Sequence, residues 1–147
     1  MFSRPRLLFA YAIVAALVFQ AGCSDSALTA LSKGMVDVSA ANQAVTATVI
    51  TAQMNGTMTA DEARPVLQVT LQVAQAGIQV DATIKGLSAL TPAQKTSILP
   101  TIKTLAAGVT NTVATLNISN VAVRTAVLAS LTTIQTALAT ITVALGS

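Results

Sequence analysis

The sequence predicts an all-α protein, an antiparallel up-down four-helix bundle preceded by an N-terminal signal helix. Three observations carry that prediction. Beyond Ser24 the apolar residues recur in steps of three and four along four segments of similar length. Two of the segments open on capping-box sequences, Thr59-Ala60-Asp61-Glu62 and Thr91-Pro92-Ala93-Gln94. The joins are only a few residues long and rich in turn formers, such as Asn55-Gly56 and Asn117-Ile118-Ser119-Asn120. Short joins make consecutive helices antiparallel neighbours.

The first element is the signal. Arg4 and Arg6 form a basic head, Leu7 to Phe19 is an unbroken apolar run, and Gln20-Ala21-Gly22-Cys23 closes it. That order marks a secretion signal over residues 1–22, and the run is shorter than the about 20 residues of a comfortable membrane span. Its end resembles the lipobox of bacterial lipoproteins, in which small residues precede an invariant cysteine. Ala21, Gly22 and Cys23 match the pattern; Gln20 departs from it, standing where the family usually has leucine. The resemblance, to a small bacterial or phage-encoded lipoprotein, implies that the Cys23 thiol is diacylated, that the chain is cut before it, and that the new amine is often acylated too. It also implies, with Ser24 next in line, delivery to the outer membrane. It covers the signal only and names no family for the domain behind it.

Cysteine usage bears on the same point. Cys23 is the only cysteine, so no internal disulfide forms, and acylation explains an odd exported thiol. Two or three acyl chains hold a protein on a membrane durably, whereas one binds marginally. The alternative is an ordinary signal cut after Ala21 or Gly22, which leaves Cys23 a free thiol.

Composition limits what residues 23–147 can do. Two of the eight Lys and Arg residues leave with the signal, so the basic balance of the whole chain, net +3, nearly disappears and gives no argument for binding nucleic acid. Hydrophobic residues make up 53% and charged ones 9%, which suits a packed domain and not a disordered chain. There is no His and no Trp, and Phe2, Phe9, Tyr11 and Phe19 all lie in the signal. Nucleophile arrangements built on His are therefore excluded, and zinc and most transition metals lose their usual ligands. Stacking platforms for single-stranded nucleic acid and aromatic cages for quaternary amines are excluded as well. The expectation is a protein that is not an enzyme and carries no cofactor or metal.

Helix one is expected over about residues 25–54, with Leu28, Leu31, Met35, Val38, Val45, Val49 and Ala52 on one face. Ser24, Asp25 or Ser26 can cap its start. Gly34 weakens its middle by about 1 kcal/mol relative to Ala. Asn42 sits in the apolar stripe. It reads either as a contact to a ligand or partner or, the commoner use, as a buried residue that fixes register or oligomer state.

Helix two is expected over about residues 59–88. Asp61 and Glu62 read as first-turn acids that complement the helix dipole, not as a catalytic pair, because adjacent helical residues point about 100° apart. Pro65 restarts or bends the helix. Val66, Val69, Val73, Ala76, Val80, Ile84 and Leu87 form one apolar stripe, with Leu67, Leu71, Ala74 and Ile78 beside it. Gln68, Gln72, Gln75 and Gln79 fall opposite. They read as a solvent face or, alternatively, as a hydrogen-bonding face for a partner. Asp81 and Lys85 are spaced for a surface pair. Leu67 to Val73 also alternates with a strand's period of two, but the alternation stops at Ala74 while the three-four stepping continues.

Helix three is expected over about residues 92–116 with a break at Pro100, and Ile98, Ile102, Leu105, Val109, Val113 and Leu116 on its face. Helix four, about residues 120–145, has the cleanest repeat: Val127, Leu131, Ile134, Leu138, Ile141 and Leu145. It is long and apolar enough to raise insertion into a membrane, against which stand its threonines, Gln135 and the lack of an aromatic belt.

Three functional readings follow. The first is a lipid-anchored protein of the cell envelope, facing the periplasm or the surface, whose bundle contacts an envelope partner or forms an oligomer. The second is a carrier holding an apolar ligand between helices, in a cavity lined by residues such as Leu71, Val109 and Leu138. The third is a pore- or lysis-type protein that inserts its last helix.

Overall fold

Helix ends are where this sequence commits itself most strongly, and they set the architecture. The computed structural model of the chain describes residues 26–146; the signal segment, the Gln20-to-Cys23 stretch and the lipidation expected at Cys23 lie outside the described residues. Among the described residues there are four helices and no strand: α1 (Ser26–Met54), α2 (Ala60–Ile84), α3 (Pro92–Thr115) and α4 (Val121–Gly146). The fold is the expected all-α four-helix bundle.

Both capping boxes form. The Thr59 hydroxyl accepts from the Glu62 N–H at 3.3 Å, and the Glu62 carboxylate accepts from the Thr59 N–H at 2.8 Å. Thr91 and Gln94 repeat this at 3.3 and 2.9 Å. Asn120 caps α4 by accepting from the Val123 N–H at 3.1 Å. Two orphan N–H groups are met at each capping box, so α2 and α3 start at fixed residues.

The α1–α2 turn is a Schellman closure. Gly56 has φ +69, the Gly56 N–H reaches the Gln53 carbonyl at 3.1 Å, and the Thr57 N–H reaches the Ala52 carbonyl at 2.8 Å. Gly86, at φ +78, ends α2 in the same left-handed region. Helix two therefore stops at Ile84 and not near residue 88. Lys85 is already outside it, its N–H held by the Asp81 carbonyl at 3.0 Å, and the expected Asp81–Lys85 ion pair is not made.

The break expected at Pro100 is absent. α3 runs from Pro92 to Thr115 with Pro100 inside it, as α2 does with Pro65. The carbonyl that each proline leaves without its helical donor, on Asp61 and on Thr96, belongs to an exposed residue where water can replace the lost bond. The period-two stretch from Leu67 to Val73 is helix throughout.

Each helix packs on its two neighbours in chain order, and α1 and α4 close the ring with the most extensive contact of all. The stripes expected on α1, α3 and α4 and the first of the two on α2 face the core, with Met35, Ile84, Leu87, Val113 and Leu116 half-buried at its edges. Leu31, Val45, Val49, Val66, Ile102, Val109, Leu131, Ile134, Leu138 and Ile141 are all fully buried. Each interhelix join also drops one apolar side chain into the core: Met58, Leu90 and Ile118. These plug the ends of the bundle, a role that spacing within the helices does not show.

The close α1–α4 approach depends on Gly34. A Cβ there would lie 2.5 Å from Cγ1 and 2.7 Å from Cδ1 of the buried Ile141. One end of the bundle is tied by Glu62, whose second oxygen accepts from the Ser119 N–H at 2.7 Å across the two loops of that end. The start of α1, the α2–α3 join and the end of α4 share the opposite end.

Candidate functional site

A bundle without His, aromatic rings or clustered acids has two places for function, its seams and its outer faces. Asp61 forms an ion pair with Arg64 at 3.0 Å, and Glu62 spends both oxygens on Thr59 and Ser119. The Thr59 N–H first, then the Ser119 side chain, the Ser119 N–H and the Thr59 hydroxyl, hold the Glu62 carboxyl down at about 2, well below its usual 4.5. Asp61 and Glu62 are thus absorbed by helix capping and by the tie between loops. No group of three His, Cys, Asp or Glu residues among the described residues is placed to hold a metal.

Asn42 is buried, 9% exposed, and lies between α1 and α2. Its Nδ2 donates to the Thr70 carbonyl at 3.0 Å, while its Oδ1 has no protein partner. The Thr70 hydroxyl, also buried, donates to the Leu67 carbonyl at 2.9 Å. The amide thus ties the middle of α1 to the middle of α2, and its second polar atom is uncompensated.

Gln68, Gln72, Gln75 and Gln79 are all exposed and form one row along the outside of α2. Gln72 leans toward α3, its Oε1 3.5 Å from where a Cβ on Gly108 would stand. The second apolar stripe of α2 is not in the core. Leu67 is half-buried, Ala74 is exposed, and Leu71 and Ile78 are 58% and 71% exposed. The reason is geometric: α2 meets α1 and α3 less extensively than α4 does, so the single stripe through Val66, Val69, Val73, Ala76 and Val80 fills the contact. The outer face of α2 thus carries large aliphatic side chains beside a row of amides.

Two surface depressions stand out. One, of about 800 Å³, follows the α1–α4 seam and is lined by small residues such as Ala40, Ala44, Ala129 and Thr133, with the Lys33–Asp37 pair (3.1 Å) on its rim. The other, of about 380 Å³, lies on α2 itself between Ala60, Arg64, Leu67, Gln68 and Leu71. Neither is an enclosed chamber. Leu71 points outward while Val109 and Leu138 are fully buried, so these three residues do not line a common cavity.

α4 is the one helix among the described residues long and apolar enough to cross a membrane, and 33% of its most apolar window is buried in the bundle. Its threonines weigh less against a bilayer than their number suggests. The hydroxyls of Thr125, Thr133, Thr136, Thr140 and Thr142 each donate to the carbonyl four residues back, at 2.8–3.1 Å.

No protein-family model matches the chain, and neither a curated protein nor a solved structure matches it at a significant level.

Proposed function

We propose that the chain is a non-enzymatic, lipid-anchored protein of the bacterial envelope whose helical bundle works through protein contacts. In this reading acyl chains on Cys23 hold it to the outer membrane. Ser26, three residues on, starts α1, so the bundle begins almost at the anchor. The end tied by Glu62 and Ser119 is the far end.

The observation that carries the contact reading is the outer face of α2. A chain with a filled core places Leu71 and Ile78 in solvent beside four exposed glutamines. Large exposed aliphatic side chains rimmed by polar groups mark interaction surfaces.

The test is the intact mass of the protein made in a Gram-negative host, beside a Cys23→Ser control. The expected mass is that of residues 23–147 plus two or three acyl chains, lost in the control. An unmodified chain cut near Ala21 would sink the anchor.

The length and hydropathy of α4 favour a second reading, insertion of that helix into a membrane. Insertion would strip α4 from α1 and α3 and expose Leu131, Leu138 and Ile141. A Cys23→Ser chain lacking residues 1–22 that stays in solution without detergent removes this reading.

A further inference from the structure

The outer face of α2 is written the same way in both directions. Arg64, Leu67, Leu71, Ala74, Ile78 and Asp81 follow one another in steps of three, four, three, four and three. That spacing is the seam of a coiled coil. All but Leu67, which is half-buried, are exposed. Turned end over end about the point midway between Gln72 and Val73, the helix sets Leu67 against Ile78, Leu71 against Ala74, and Arg64 against Asp81. No charge interrupts the stretch from Pro65 to Val80.

We propose that this face is the interface of a homodimer, in which α2 packs antiparallel against α2 of a second copy across a two-fold axis. The inference deepens the contact reading above by naming the partner, and it does not depend on the anchor. Charge selects the orientation. Arg64 already pairs with Asp61 of its own helix; an antiparallel pair adds Asp81 of the second copy beside it at each end, whereas a parallel pair stacks Arg64 on Arg64 and Asp81 on Asp81. Shape agrees with charge. The depression between Arg64, Leu67 and Leu71 lies where Ile78 of the second copy arrives, a large side chain entering a hollow. The glutamine row runs beside the seam, so the rows of the two copies meet along one edge and can exchange amide hydrogen bonds.

One helix pair buries a modest area, so the dimer is weak in solution and strengthened where anchoring concentrates the protein on a surface. The two-fold also fixes how the pair sits. It puts the two α1 starts at opposite ends of a body about 40 Å long. A symmetric pair anchored in one leaflet therefore has its axis along the membrane normal and its helices along the membrane plane.

The experiment is sedimentation of the full mature chain, purified in detergent from a Gram-negative host, over a concentration series, with helix content followed by circular dichroism. Wild type is expected to dimerise. Ile78→Glu weakens pairing roughly tenfold or more with helix content unchanged, because it buries a charge at the seam. Arg64→Asp and Asp81→Arg each weaken it about two- to fivefold, and the double charge swap restores it. A chain that stays monomeric up to about 100 µM overturns the proposal. So does a dimer indifferent to Ile78→Glu, a charge swap without rescue, or cross-linking of the α2 face to a different protein while the chain alone is monomeric. Mass spectrometry of the same samples separates the two readings. An unacylated dimer sinks the anchor and keeps the interface, and an acylated monomer does the reverse.

Discussion

The α1–α4 seam and the α2 flank are built on opposite rules. Along the seam the backbones come close, and Gly34 is required because Ile141 occupies the space a Cβ would need. Beside α2 the glycines have room. A Cβ on Gly77 would meet only the flexible end of Met35 at 3.6 Å, and one on Gly108 only the Gln72 Oε1 at 3.5 Å. The seam is sealed by Leu131, Ile134, Leu138 and Ile141. The flank instead contains the buried amide of Asn42 and leaves Leu71 and Ile78 outside. Close packing fixes the first region, and the second keeps a surface to spare.

The sharpest way to break this contrast is one substitution at two places. Gly34→Ala should lower stability by about 1–2 kcal/mol net, because overpacking against a rigid, fully buried side chain outweighs the helix-propensity gain of about 1 kcal/mol. Ile141→Val in the same chain should recover part of the loss by removing one of the two atoms in conflict. Urea melts of the wild type and the two variants check both signs. Were Gly34→Ala neutral, the seam would be no tighter than the flank.

Asn42 tests the flank from inside. Its Nδ2 bond to the Thr70 carbonyl is offset by a buried Oδ1 without a partner. Asn42→Leu should therefore be neutral or raise stability by up to about 1 kcal/mol, since it removes an unpartnered buried acceptor while the Thr70 carbonyl, inside α2, keeps its helical donor. If Asn42 also sets the α1–α2 register, amide exchange in α2 should become less uniform despite the higher midpoint. Gly77→Ala should give a gain of about 0.5–1 kcal/mol, through helix propensity alone. Its sign opposite to Gly34→Ala is the comparison in its simplest form.

How much of this was legible in the sequence differs between the same two regions. The α4 repeat from Val127 to Leu145 predicts the seam's core without error, because a helix wedged between two neighbours buries the stripe its spacing defines. The importance of Gly34 was not legible. Its propensity reads as a weakness, and only the position of Ile141 turns that around. For α2 the spacing shows two apolar stripes but not which one faces the core, since that depends on how far α1 and α3 cover the helix. The end of α2 was written in Gly86, whose positive φ lies two residues beyond the last helical residue, Ile84. Pro100 misled for a local reason: the Thr96 carbonyl it deprives belongs to an exposed residue, so the helix continues. The exposed glutamine row was legible as a face, but the aliphatic row beside it reads as core until the packing puts Leu71 and Ile78 outside.

The smallest effect concerns the end where both regions are tied together. Glu62 belongs to the α2 capping box and reaches the α3–α4 loop at Ser119. Its folded-state pKa, about 2, lies below the usual 4.5. Between those values the unfolded chain binds the more protons, so stability rises with pH across the window. The Glu62 contribution is fully present above about pH 4.5 and is lost as pH falls toward 2. Glu62 is exposed to water, so the contribution is small. The check is the difference in stability between wild type and Glu62→Gln, measured by urea melts from neutral pH down to acid. It should be constant above pH 4.5 and shrink steadily below it. The glutamine keeps one acceptor oxygen, as Gln94 does in the α3 cap, so it can hold the Thr59 cap, but its amide nitrogen cannot accept from the Ser119 N–H and the tie between the loops is lost. A difference that stays flat through the acid range would mean that the carboxylate's bonds to Thr59 and Ser119 are not made in solution. The seam and the flank would then be joined at that end only by Met58 and Ile118 packing beneath the loops.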